Sequence, residues 1–107
     1  MDPSLMIEKT LTDTDICWKG RLRLPKLIIN NIVKKMGVVI PQNGIQVEIQ
    51  DCDKSNWVNF GHNNTIGNGW NNMRNARGLK RGDVIRLYWK DTKFIFSMPS
   101  LLLFLFL

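Results

Sequence analysis

The chain has 107 residues, enough for one modest hydrophobic core and not for two. Apolar residues make up 44% of it, which argues against a disordered segment; 15 Lys plus Arg against 9 Asp plus Glu give a net charge of +6. That balance points to a polyanionic partner, nucleic acid ahead of a membrane surface. Met1-Asp2-Pro3-Ser4 has neither the basic region nor the apolar core of a secretory signal, so the separated Cys17 and Cys52 read as reduced, intracellular thiols. One histidine, His62, leaves too few donors for a zinc site, and no metal or cofactor is expected.

Met6 to Leu11 reads as an opening strand and Thr12 to Asp15 as a polar turn or short cap, followed by a loop from Ile16 to Gly20. Arg21-Leu22-Arg23-Leu24 alternates with period two, which predicts a strand with its leucines inward and arginines outward. Pro25 ends that strand and suits the start of a helix from Lys26 to Met36, with Gly37 as its C-terminal cap. The β-branched residues at 28, 29, 32 and 33 keep a pair of strands open as the competing reading. Pro41-Gln42-Asn43-Gly44 is a turn, and Ile45 to Asp51 alternates with Ile45, Val47 and Ile49 inward.

The next turn, Cys52 to Ser55, returns the chain through Asn56-Trp57-Val58-Asn59-Phe60 as an antiparallel partner. Gly61-His62-Asn63-Asn64 is a polar loop, Thr65 to Gly67 a short strand or bend, and Trp70 to Arg77 a short helix ended by Gly78. Leu79-Lys80-Arg81-Gly82-Asp83 turns into a strand from Val84, whose Ile85, Leu87 and Trp89 share an apolar face. Lys90 to Lys93 turns again, and Phe94 to Met98 pairs back. Six or seven short strands, two short helices and frequent turns predict a mainly β, closed or nearly closed antiparallel barrel. The run Leu101 to Leu107 is apolar but far short of the roughly 20 residues a spanning helix needs, so no membrane partner is expected.

Two segments carry groups suited to nucleic acid. Lys19, Arg21, Arg23 and Lys26 place four cations within eight residues, able to meet phosphates or, through arginine, guanine edges. Solvated charges protecting a strand edge are the competing reading. Asn59, His62, Asn63 and Asn64 form a second polar group able to meet adenine edges or phosphates, although asparagine is also a routine turn residue. There is no nucleotide-cradling glycine loop, spaced carboxylate pair or metal-ligand cluster, so neither catalysis nor a small-molecule substrate is expected.

Lys9 to Asp15 followed by Gly20-Arg21-Leu22-Arg23-Leu24-Pro25-Lys26 resembles the opening of the plant B3 DNA-binding domain. Val47 to Asp51, Trp57, Gly69-Trp70 and Gly78 to Ile85 continue the resemblance in order, over about Met6 to Met98. Gly69-Trp70-Asn71 and Ile85-Arg86-Leu87-Tyr88-Trp89 are most similar to a divergent subgroup once catalogued as a domain of unknown function. The resemblance implies a seven-stranded open antiparallel pseudobarrel with two short helices, spanning residues 5–98; the apolar tail at 99–107 has no counterpart in the family. It also implies a transcription regulator in a plant nucleus that grips the major groove of double-stranded DNA with two arms, here Thr14 to Arg23 and Asn59 to Thr65. Two departures stand out: no Lys or Arg lies between Trp57 and Arg74, and Met73-Arg74 replaces the usual aromatic-aliphatic pair. The neutral second arm and the apolar tail keep open an alternative, a degenerate module that pairs with other transcription regulators.

Overall fold

A computed structural model describes residues 2–17 and 20–99 of the chain. Strand β1 (Met6–Thr10) leads to a one-turn helix α1 (Asp13–Ile16), β2 (Leu22–Arg23) and helix α2 (Lys26–Met36). Then follow β3 (Ile45–Asp51), β4 (Lys54–Phe60), β5 (Thr65–Ile66), helix α3 (Trp70–Arg77), β6 (Val84–Lys90) and β7 (Lys93–Ser97). All seven strands join one curled sheet in the order β1-β6-β7-β3-β4-β5-β2.

Alternation along each strand decides what is buried. Ile85, Leu87 and Trp89 of β6, Phe94 and Phe96 of β7, Val47 and Ile49 of β3, and Val58 and Phe60 of β4 all enter one core. Ile29 and Ile32 of α2 and Trp70 and Met73 of α3 pack into the same cluster. Phe94 meets Phe60 and Trp89 edge-on, at centroid distances of 5.4 and 5.0 Å, the arrangement that aromatic quadrupoles favour. Between Pro25 and Gly37 the chain is helical, not a pair of strands, and Gly37 closes α2 in the left-handed region by donating to the Val33 and Lys34 carbonyls. Leu27 falls outside the buried stripe and is exposed.

Seven strands in an open barrel match the expectation, with two differences. The β3–β7 pairing is parallel, with Glu48 opposite Lys93 and Gln50 opposite Ile95, so the sheet is mixed. Side-chain alternation is the same in both strand directions, so direction could not be read from it. The polar turn expected at Thr12 to Asp15 is a third helix, Asp13–Ile16, one turn long, held by a capping box in which Thr12 and Asp15 satisfy each other's backbone amides. The apolar tail lies outside the described residues except for Pro99.

Close approach explains one glycine that matters for the fold. Gly69 has φ +98°, and a Cβ there would lie 2.1 Å from the Trp57 carbonyl oxygen. Only glycine lets α3 start so near β4, which seats Trp70 in the core. Arg77 at the other end of α3 pairs with Asp51 of β3, donating from Nε to Oδ2 at 2.6 Å, and lies over the Phe96 ring. That guanidinium holds the Asp51 carboxyl below the usual carboxylate range.

Candidate nucleic-acid interface

The two edge strands β1 and β2 are joined through a buried carboxylate. Asp15 of α1 is fully buried and accepts from the Thr12 amide (2.9 Å), the Thr12 hydroxyl (3.0 Å) and Lys9 Nζ (2.9 Å). Lys9 also donates to the Arg23 carbonyl at 2.7 Å, and Trp70 Nε1 donates to the Asp15 carbonyl at 2.8 Å. One residue thus ties β1, β2, α1 and α3 together. Burial works to raise the Asp15 pKa, but the Thr12 amide and the Lys9 ammonium outweigh it and hold the carboxyl below its ordinary value.

This latch fixes the start of the first polar segment. The Gly20 amide donates to the Cys17 carbonyl, and a Cβ on Gly20 would lie 2.3 Å from the Thr14 carbonyl oxygen, so Gly20 sits tightly against the end of α1. Arg21 and Arg23 emerge exposed, while Leu22 and Leu24 are buried as the alternation requires. Lys26 opens α2, also exposed. Arg21, Arg23 and Lys26 make no ion pair with a described residue, whereas Lys9, Arg77, Arg81 and Arg86 do. Lys19 lies outside the described residues.

The second polar segment lies directly beside the first. Leu22 and Arg23 pair with Ile66 and Thr65, and the Leu24 amide donates to the Asn64 carbonyl at 3.0 Å. Asn63 and Asn64 both adopt left-handed φ angles, of 51° and 58°, which asparagine tolerates better than most residues. Arg21, Asn59 and His62 line one polar notch of about 200 Å³, together with Asn43, Gly67 and Asn68. Asn59 Nδ2 donates to the Asn43 carbonyl at 2.7 Å. His62 Nδ1 is 2.8 Å from the Gln42 carbonyl, which can only accept, so Nδ1 carries the proton and Nε2 accepts from Asn63 Nδ2 at 3.3 Å. Arg23, Asn63, Asn64 and Lys26 do not line this notch; Arg23 lies opposite Thr65 in the β2–β5 pairing. In the sequence Asn43 reads only as part of a turn and Asn68 carries no signal of its own; only the fold places them beside Arg21.

Comparison with known proteins shows the family and the fold. A B3 domain-containing protein of Arabidopsis thaliana is 52% identical over 101 residues, covering 92% of this chain and 100% of its own length. The chain belongs to the B3 domain family. A second Arabidopsis B3 domain-containing protein is 31% identical, with 93% of its length covered. In a third, putative member at 33% identity, the chain spans only 36% of the relative's length. Although no protein-family model matches the sequence, solved B3 folds do. The Arabidopsis FUS3–DNA complex aligns with TM-score 0.62 at 21% identity, over 85% of this chain and 92% of that one. The Arabidopsis thaliana transcription factor LEC2–DNA complex aligns with TM-score 0.58 at 22% identity, over 86% and 87%. In this B3 domain the seven-stranded half-barrel is therefore the family's fold, and Arg21, Arg23 and Lys26 stand exposed on the segment before β2, on β2 and at the start of α2.

Proposed function

We propose that this B3 domain binds double-stranded DNA, without catalysing a reaction on it, and regulates transcription in the plant nucleus. The observation that carries the reading is the meeting of Arg21 from the first arm with Asn59 and His62 from the second around one polar notch. Arg23 and Lys26 are further exposed cations with no ion pair to a described residue, on a chain of net charge +6. FUS3 and LEC2, which share this fold, were both solved with DNA. Arg21, Arg23, Lys26 and Lys19 supply the phosphate and guanine contacts of the first arm; Asn59, His62, Asn63 and Asn64 make the second, and together the arms grip the major groove.

Such a surface separates affinity from specificity. Cations neutralise phosphates and release counterions, so binding weakens linearly in log salt with a slope of about −0.9 per contact. Titration of a random 20-base-pair duplex at several salt concentrations tests this, with binding at low salt and a negative slope expected. Failure to bind at any salt concentration rejects the function. A second reading, contact with another regulator, is favoured by Trp57, which is 62% exposed on the side of β4 opposite the buried Val58. Trp57→Ala then abolishes partner association while leaving duplex binding intact.

A further inference from the structure

The notch divides its side chains into two kinds. Asn59 spends its amide nitrogen on the Asn43 carbonyl and His62 spends its Nδ1 proton on the Gln42 carbonyl. Both bonds pin the turn at residues 41–44 against the second arm. The side chains of Arg21, Asn43 and Asn68, by contrast, make no hydrogen bond or ion pair with any described residue, and all three are exposed. They reach the notch from three separate segments: the approach to β2, the turn before β3 and the loop between β5 and α3.

We infer that Arg21, Asn43 and Asn68 are the base-reading set of this domain, and that Asn59 and His62 are positioning residues that hold Asn43 in place. This rests on the DNA-binding reading above. The guanidinium fork suits guanine O6 and N7, and a free asparagine amide suits adenine N6 and N7, so the notch favours a guanine with an adenine beside it. Its volume of about 200 Å³ admits the edge of a base pair. The turn before β3 thereby becomes a third contributor beside the two arms.

Gly67 gives an independent handle. A Cβ there would meet Asn59 Oδ1 at 3.8 Å and Arg21 Cδ at 3.9 Å, ordinary contacts, and the glycine does not have a positive φ. Gly67→Ala therefore folds normally while placing a methyl group inside the notch.

The test is selection from a randomised duplex library by the wild-type chain, the Asn43→Ala/Asn68→Ala double variant, Gly67→Ala and Asn59→Ala, with melting temperatures alongside. The wild type is expected to enrich guanine next to adenine. The double variant should lose its preference at the adenine by roughly five- to 150-fold, with an unchanged melting temperature and salt slope. Gly67→Ala should relax both positions without loss of stability. Asn59→Ala should melt a few degrees lower and relax the adenine position; a merely structural residue would weaken binding equally for every sequence. If the wild type selects a site and the double variant selects it with the same ratios, the base-reading assignment is overturned while DNA binding stands. A wild type that binds no duplex overturns both.

Discussion

Replacing Asp15 by Asn tests the latch that sets the first arm. The carboxylate is fully buried and receives three close hydrogen bonds, from the Thr12 amide, the Thr12 hydroxyl and Lys9. Asparagine keeps one oxygen but turns an NH₂ toward a donor, and it leaves the Lys9 ammonium, largely buried in its side chain, without its counter-charge. Removing one partner of a buried pair costs about 3–5 kcal/mol. At about 4–8 °C per kcal/mol for a domain of this size, the melting temperature should fall by roughly 12–40 °C. The assay is thermal unfolding followed by circular dichroism at pH 7 and again at low pH. Because the folded pKa of Asp15 lies below its unfolded value, its stabilisation is complete above about pH 4 and is lost as pH falls through the folded pKa. The gap between wild type and Asp15→Asn should therefore narrow at pH 2.5. A fall of less than about 5 °C at pH 7, or a gap that is the same at both pH values, refutes the reasoning.

Other perturbations follow from the same packing. Trp70→Ala removes a fully buried ring and its bond to the Asp15 carbonyl, and should cost about 3–5 kcal/mol, read from chemical denaturation. An unaltered denaturation midpoint would contradict the seating of α3. Gly69→Ala forces a Cβ to 2.1 Å from the Trp57 carbonyl oxygen at a positive φ, and should destabilise by at least about 2 kcal/mol in the same assay. Gly78→Ala, whose Cβ would meet nothing within 4 Å, carries only the left-handed strain and should cost about 1–2 kcal/mol.

How far the fold could be read in advance depended on whether a residue's role was local. The alternation of Ile45, Val47 and Ile49, and the Pro25 and Gly37 that bound α2, state their own structure, and both elements formed as expected. The parallel docking of β7 on β3 has no local signature, because pairing across more than forty residues is decided by the whole core. Asp15 looked like a turn residue because its burial depends on Lys9, Thr12 and Trp70 arriving together. The candidate site divides in the same way. Arg21 and Arg23 announced themselves by strand alternation and both stand exposed. Asn43 read only as a turn residue and Asn68 carried no signal, since their place beside Arg21 is made by the fold.

Charge placement, rather than charge alone, is what the DNA-binding account asserts, and the salt dependence of duplex affinity measures it most directly. Two double variants remove the same charge, Arg21→Ala/Arg23→Ala from the first arm and Lys34→Ala/Lys35→Ala from the far end of α2. The account predicts that the first makes the log–log slope shallower by about 1–2, and that the second leaves it unchanged. Equal slopes in the two variants would contradict it.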